Sequence, residues 1–373
     1  VGRAKTETTV RPTVIMIDID KFRSVNQSLG LVVGDSLLLT IARRLQRHLG
    51  PNDTLARVGG DQFAIMMVGE QEPRELASLA ERVRRSLRSP IKIAGQEIVL
   101  TGSLGIAVYD GEEEGVHDLL KEAEMAMFRA KRSGADKIEI FKPEMRSERD
   151  DRITIESELR RAIEKKELRV LYQPIIYLPT EELAGFEALV RWDHPRNGMM
   201  NPAAFVPVAE ESDLIVKLGS FVLMKAAQDC ARWQKELPRE NAALFVSVNV
   251  SSRQLFRQDL IQEIRHILGR GLVTPGSLKL EVTESLVMEN PEQATEILEL
   301  LRGAGAELAL DDFGTGYSSL SYLQKFPFDT IKIDRSLIRS SGNGDARGAA
   351  IVRSMVALSH ELGKKVVAEG VEE

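Results

Sequence analysis

Apolar positions in the first 140 residues fall into short unbroken runs and into stretches spaced three and four apart. These are the signatures of buried strands and amphipathic helices. Thr13–Ile19 (TVIMIDI) predicts a buried strand and Asp35–Leu49 a helix. Leu55–Val58 and Phe63–Val68 predict two strands joined by a hairpin turn at Gly59-Gly60-Asp61-Gln62. A helix over Glu72–Arg88 follows, then strands Ile91–Ile93 and Glu97–Tyr109 joined by Ala94-Gly95-Gln96. A helix over His117–Ser133 and a strand Lys137–Phe141 close the unit. The order β-α-ββ-α-ββ-α-β predicts an α/β sandwich with helices packed on a sheet.

Pro143–Ile155 is charged and polar. A domain boundary is expected there, giving a first domain over 1–142, a linker over 143–155 and a second domain over 156–373. The apolar runs of the second part are Val170–Ile176, Leu183–Val190, Ala243–Val250, Leu278–Val282, Glu307–Leu310, Thr330–Ile333 and Lys365–Ala368. Between most of them lie helix-length amphipathic segments: Phe221–Leu237, Leu260–Leu268, Pro291–Ala304 and Arg347–Leu362. Seven strands alternating with helices predict an α/β fold of the TIM-like (β/α) barrel type, which wants eight. The eighth strand and its helix are expected beyond Glu373, and without them a sheet edge would stand open.

Composition narrows the function. A chain of 373 residues is too long for one ordinary domain. At 43% hydrophobic and 28% charged it has real cores and is neither disordered nor fibrous. The longest stretch free of Asp, Glu, Lys and Arg is the 13 residues Asn197–Ala209. That is short of the roughly 20 apolar residues of a membrane span, so no span is expected. Cys230 stands alone and cannot form an internal disulfide, which suits a cytoplasmic location. The opening at Val1, with no signal-like segment, reads as part of something longer, such as the cytoplasmic part of a sensor protein. Residues 1–150 hold 23 basic and 23 acidic side chains, and residues 151–373 hold 27 and 33. An acidic second half argues against a nucleic acid polymer as partner.

The acids have a pattern. Glu187, Asn249, Glu281, Glu284, Asp311, Asp312, Lys332 and Glu369 all lie in or just after predicted barrel strands, where such folds place their working residues. A lone carboxylate at a strand end is more often a cap or a surface residue. Oxygen ligands arriving from five strands are a different matter, because buried like charges repel unless cations sit among them. No His or Cys cluster accompanies them, so the donor set suits Mg²⁺ or Mn²⁺ rather than zinc. Adjacent Asp311 and Asp312 could serve two ions, and two-metal sites suit phosphoester hydrolysis.

At this point the second half resembles the EAL domain family, cyclic di-GMP phosphodiesterases built on a TIM-like barrel. The resemblance covers about residues 152–373. It rests on Tyr172-Gln173-Pro174-Ile175, Glu187-Ala188-Leu189-Val190-Arg191-Trp192, Asn249-Val250-Ser251, Glu281-Val282-Thr283-Glu284, Asp311-Asp312-Phe313-Gly314-Thr315-Gly316-Tyr317-Ser318-Ser319, Lys332-Ile333-Asp334 and Glu369-Gly370-Val371-Glu372. It implies that Glu187, Asn249, Glu281 and Asp311 hold one metal, and that Asp311 bridges to a second held also by Asp312 and Glu369, with Glu369 acting as general base or purely as ligand. Lys332 would orient the attacking water, while Gln173 and Arg191 would contact the dinucleotide, Arg191 at a phosphate. Glu284 would brace the loop Asp312–Ser319, which in this family couples the active site to a homodimer interface. The product would be linear pGpG. A further functional glutamine of the family pattern would lie beyond Glu373.

Residues 12–142 resemble a GGDEF domain, the diguanylate cyclase family, whose fold is an α/β palm. The matches are Ile17-Asp18-Ile19-Asp20-Lys21-Phe22, Asn26, Gly34-Asp35, Arg57-Val58-Gly59-Gly60-Asp61-Gln62-Phe63 and Ala130-Lys131. The resemblance implies a metal at Asp18, guanine read by Asn26 and Asp35, close approach of nucleotide at Gly59 and Gly60, and a triphosphate contact from Lys131. Three departures count against synthesis. Gln62 replaces a carboxylate, and a neutral amide is a poorer ligand for a divalent cation. Ala135 stands where the family commonly has an arginine. Gly50-Pro51-Asn52-Asp53 keeps only the Asp of the RxxD inhibitory motif.

The reading is therefore a phosphodiesterase whose degenerate first domain regulates it, with GTP as a candidate ligand there. The rival is a receptor that holds cyclic di-GMP without cutting it, and a bifunctional enzyme is a third. Gly314-Thr315-Gly316 as a phosphate loop is a weak signal. Arg82, Arg84, Arg85 and Arg88 read as a solvated helix face, and Cys230 as a packed helical residue.

Overall fold

The structure, a computed structural model, describes residues 12–68, 72–93, 95–109, 116–237, 243–269, 271, 273–314, 320–342 and 346–371. The chain divides into two compact units, Val1–Ile153 and Thr154–Glu373.

The first unit runs β1 (Thr13–Ile19), α1 (Phe22–Leu29), α2 (Leu31–Gln46), β2 (Thr54–Gly59), β3 (Gln62–Met67), α3 (Pro73–Arg88), β4 (Ile91–Ile93), β5 (Gln96–Ile98), β6 (Gly102–Val108), α4 (Val116–Arg132) and β7 (Ile138–Ile140). Five strands form one sheet in the order β2-β3-β1-β6-β7, with β1 antiparallel to both neighbours. TVIMIDI is unbroken because β1 is buried on both faces. Ile15, Ile17 and Ile19 join Leu37, Ile41, Leu45 and Val83 on one side. Val14 and Met16 join Leu119, Ala123 and Met127 of α4 on the other. Gly105 in β6 lets α4 come close: a Cβ there would run into the backbone of Met127 and Ala123.

Three expectations change. The helix expected from Asp35 starts at Leu31, and α1 precedes it, the two separated at Gly30 (φ 83°), a left-handed backbone that favours glycine. The strand expected over Glu97–Tyr109 is two strands. β5 folds back on β4, with Ile91 opposite Ile98, and only β6 enters the main sheet. Ile98-Val99-Leu100 reads as one apolar run although the chain changes sheets there. From Glu144 on, the polar stretch 143–155 is helical, part of α5 (Glu144–Lys165). Few of its positions turn inward, among them buried Met145, so no apolar period shows. Arg146 ion-pairs with buried Glu122 and lies over the Phe141 ring.

The second unit continues with β8 (Leu168–Tyr177), β9 (Glu182–His194), β10 (Gly198–Met200), α6 (Pro202–Glu211), α7 (Leu214–Glu236), β11 (Phe245–Asn249), α8 (Ser252–Leu255), α9 (Gln258–Gly269), β12 (Leu278–Thr283), α10 (Glu284–Glu289), α11 (Pro291–Gly303), β13 (Glu307–Phe313), α12 (Leu320–Lys325), β14 (Thr330–Ile333), α13 (Arg335–Gly342), α14 (Ala346–Glu361) and β15 (Lys365–Ala368). The sheet is a curled half-barrel in the order β10-β9-β11-β12-β13-β14-β15, with β8 beside β9. From β9 through β11 to β15 neighbours are parallel. The first two expected strands depart from the βα repeat: β8 and β9 form an antiparallel hairpin with no helix between them.

Leu278, Leu280 and Val282 of β12 join Leu308, Leu310, Val246 and Val248 in the apolar core with α7, α9 and α11. Alternation sends Lys279 and Glu281 to the opposite face. Near the strand starts, Lys279 pairs with Glu307 at 2.9 Å and lies over the Phe245 ring. Near the strand ends the same face carries the acids.

Candidate functional site

Strand register decides which side chains share the inner face. Gln173 is opposite Glu187, and Glu187 is opposite Ser247, so Asn249 follows two residues on. Asn249 is opposite Glu281, and Glu281 is opposite Ala309, two before Asp311. Ala309 is opposite Thr330, two before Lys332, and Lys332 is opposite Val367, two before Glu369. With a side-chain period of two, all seven fall on one face toward the C-terminal ends of their strands.

Lys332 is the hub. Its ammonium, with the side chain 2% exposed, lies 2.6 Å from Glu281 Oε2 and 2.6 Å from Glu369 Oε1. Asp311 Oδ1 is at 3.2 Å and Glu187 Oε2 at 3.3 Å. The other oxygen of Glu187 accepts from Asn249 Nδ2 at 2.8 Å. Asp312 has a left-handed backbone (φ 55°), and its N–H donates to Asp311 Oδ1 at 3.0 Å. One carboxylate oxygen from each of Asp311, Asp312 and Glu369 lies within 4.8 Å of the others, close enough to share a metal ion. Buried Glu284 opens α10 and accepts the N–H of Gly314 at 3.1 Å. Gly314 (φ 97°) has no room for a Cβ beside Leu337 and Met355. Glu284 thus anchors the start of the loop after β13; residues 315–319, with Thr315 and Gly316 of the Gly-Thr-Gly signal, lie outside the described residues.

The charges are strongly perturbed. Burial lifts the Glu281 carboxyl to about 8 against the pull of Lys332, with Glu187 and Asp311 adding to the rise. Burial raises Glu369 as well, again against Lys332, and burial with neighbouring Asp311 raises Asp312. Burial works against the Lys332 ammonium, but Glu281, Asp311, Glu187 and Glu369 outweigh it and hold the lysine charged. The raised acids have one consequence for metal-free protein. Between the ordinary glutamate value of 4.5 and about 8, the folded state binds more protons than the unfolded chain. Stability therefore falls as pH rises through that window. Thermal melts of EDTA-treated protein should show Tm declining from about pH 5 to about pH 8; a flat or rising Tm would contradict the buried acid cluster.

Gln173 is exposed on β8 beside Glu187, and half-buried Arg191 lies four residues beyond Glu187 on β9, donating to Val190 O at 2.8 Å. Two supports were not evident as such in the motifs. Ser251 caps α8 through a reciprocal capping box with Gln254, which steadies the turn after Asn249. Asp334 accepts from the Ser336 N–H at 2.9 Å and fixes the turn into α13 after Lys332. The Ser-x-x-Gln and Asp-x-Ser spacings are the signals that could have found them.

In the first unit, Asp18 is occupied by its own chain. Its Oδ1 lies 2.5 Å from Lys131 Nζ, and its Oδ2 accepts from Gln62 Nε2 at 2.9 Å. Lys131, expected at a triphosphate, thus rests on the carboxylate expected to bind metal. Asn26 Oδ1 is buried without a hydrogen-bond partner, and a Cβ on Gly34 would collide with it. Asp35 is exposed on α2. Gly59 and Gln62 are themselves strand residues, so the turn tightens to Gly60 (φ 51°) and Asp61. Arg84 and Arg88 are not simply a solvated face: both reach Asp136 in the turn that holds Ala135. Cys230 is buried and free, as expected.

An α/β unit followed by a parallel half-barrel, with five acids and a lysine gathered at its strand ends, defines a two-domain protein with a barrel-type acidic centre. The chain belongs to the EAL domain family, whose match spans residues 156–373, and a diguanylate cyclase GGDEF domain matches residues 2–137. It is 38% identical over 362 residues to the bifunctional diguanylate cyclase/cyclic di-GMP phosphodiesterase MucR of Pseudomonas aeruginosa, covering 97% of this chain and 52% of that protein. It is 36% identical over 359 residues to the cyclic di-GMP phosphodiesterase NbdA of the same organism, covering 96% and 45%. The chain spans about half the length of the curated relatives it matches. A solved MucR phosphodiesterase in complex with c-di-GMP is 40% identical, with TM-score 0.56, over 59% of this chain and 87% of that one. The S helix-GGDEF-EAL structure of Vibrio cholerae LapD, 18% identical with TM-score 0.62 over 97% and 84%, shares the fold.

Proposed function

We propose that the second domain hydrolyses cyclic di-GMP to linear pGpG with two divalent ions, Mg²⁺ or Mn²⁺, and that the first domain regulates it without synthesising the dinucleotide. The observation that carries the reading is the convergence of Glu187, Glu281, Asp311 and Glu369 on Lys332, with Asp312 alongside. The donor set fits hard cations: every candidate ligand offers oxygen, and three carboxylates already lie within 4.8 Å of one another. Glu187, Asn249, Glu281 and Asp311 would hold one ion, and Asp311, Asp312 and Glu369 the other. When bound, such ions lower the pKa of a water and polarise a phosphoryl oxygen. Lys332 would keep the attacking water in line, Glu284 would hold the Asp312–Gly314 turn in place, and Gln173 and Arg191 would seat the dinucleotide.

Support for a regulatory first domain comes from Asp18, whose two oxygens are engaged by Lys131 and Gln62. GTP at Asn26 and Asp35 and a homodimer through the second domain belong to the same proposal. Among the described residues no helix is long and apolar enough to cross a membrane. A cytoplasmic location is also proposed, supported by the lone free cysteine. The test is chromatography of cyclic di-GMP incubated with the protein and Mg²⁺ or Mn²⁺, with and without GTP. Conversion to pGpG is expected, with no cyclic di-GMP made from GTP alone. Tight binding without conversion would replace the enzyme by a receptor.

A further inference from the structure

The Lys332 ammonium occupies the centre of the acid ring, not its rim. Its side chain is 2% exposed, and it approaches four carboxylates carried by β9, β12, β13 and the residue after β15. The oxygens it holds are Glu281 Oε2, Glu369 Oε1, Asp311 Oδ1 and Glu187 Oε2, which belong to acids that a divalent ion would need. No second cation approaches Glu187, Glu281 or Glu369 at ion-pair distance among the described residues. So many buried like charges would repel one another without a positive partner. The same partner repels an incoming ion.

We propose that Lys332 is a resident counter-cation that competes with divalent metal for Glu187, Glu281, Asp311 and Glu369. It lets the acid ring fold before metal arrives and lowers the metal affinity of the finished site. The proposal rests on the metal-dependent reading of this site. It adds that the lysine sets how much metal the protein requires, separately from any part it plays in hydrolysis. A lysine that served only to position water or ligands would have the opposite signature: its removal would leave metal affinity unchanged or weaken it.

The experiment titrates Mn²⁺ into substrate-free protein and follows the free ion by electron paramagnetic resonance, for the wild type, Lys332→Gln, Lys332→Met and Lys332→Arg. Removing a unit charge this close to the ions should tighten Mn²⁺ binding about tenfold or more in the Gln and Met variants. Lys332→Arg keeps the charge and should not bind more tightly than wild type. The rise in Tm on adding Mn²⁺ should also be larger for the neutral variants. If Lys332→Met folds only with Mn²⁺ present, that supports the proposal, since metal then replaces the missing ammonium. The polar Gln variant carries the affinity measurement in either case. Folded Gln and Met variants that bind Mn²⁺ no more tightly than wild type would overturn it. Tighter binding in those variants, with a wild type that cannot cleave cyclic di-GMP, would uphold the counter-cation and sink the phosphodiesterase reading. Unchanged affinity with wild-type cleavage intact would do the reverse.

Discussion

Glu187→Ala should reduce cyclic di-GMP turnover by about a thousandfold or more without lowering the stability of the metal-free protein. Glu187 accepts from Asn249 Nδ2 at 2.8 Å and faces Lys332 Nζ at 3.3 Å. Losing it removes a candidate metal ligand and frees Asn249, so the donor set on the β9 side falls apart. The same change takes one negative charge out of a ring where Glu187, Glu281, Asp311 and Glu369 crowd the buried Lys332 ammonium, with Asp312 alongside. Less repulsion offsets the lost contacts, so Tm in EDTA should hold or rise. The stabilisation that Mn²⁺ gives should shrink. These signs separate a functional loss from a folding defect. A lower Tm in EDTA would overturn the charge-repulsion argument, and a variant retaining near-normal turnover would sink the proposed role of Glu187 outright.

What could be read in the sequence follows a physical line. Buried parallel strands are near-continuous apolar runs bounded by helices, so β12, β14 and β15 were visible to within a residue or two. Glu187, Asn249, Glu281, Asp311, Lys332 and Glu369 were visible as candidates because polar residues in such strands demand a reason. Their convergence on Lys332 was not visible, because it depends on register across six strands and on side-chain reach. The β8–β9 hairpin was hidden for a related reason: an antiparallel pair and a parallel pair present the same apolar runs. The first half of α5, residues 144–155, was hidden because a largely exposed helical stretch has little apolar period, and β5 because Ile98-Val99-Leu100 stays apolar across a change of sheet. In the first unit Gln62 was legible as a lost carboxylate. That its amide would cap Asp18 while Lys131 took the other oxygen depended on β1–β3 pairing and on the packing of α4.

Gly105→Ala should unfold the first unit at lower denaturant than any other single-methyl change in β6. A Cβ at Gly105 meets backbone on two sides, Met127 N and Ala123 O of α4, and backbone cannot swing aside. Relief requires α4 to slide off the sheet, which would disturb the cluster of Val14, Met16, Ala107 and Met127 and the Lys131–Asp18 pair at the far end of the helix. Overpacking of this kind costs about 3 kcal/mol, and more where the neighbours cannot give. Gly102→Ala is the control, because its nearest obstacle is the flexible end of Leu87 and the closest backbone atom, Asp18 O, is at 3.2 Å, well beyond the distance of Met127 N from a Cβ at Gly105, so a smaller cost of about 1 kcal/mol is expected. The chain supplies its own reporters: both tryptophans, Trp192 and Trp233, lie in the second unit. In a urea titration of Gly105→Ala, far-ultraviolet circular dichroism should show an early transition from the first unit. Tryptophan emission should keep its wild-type midpoint. Were both probes to shift together, the two units would unfold as one, and the first domain would have to be counted part of the barrel's stability. Were neither to shift, the close approach of α4 to β6 would be refuted.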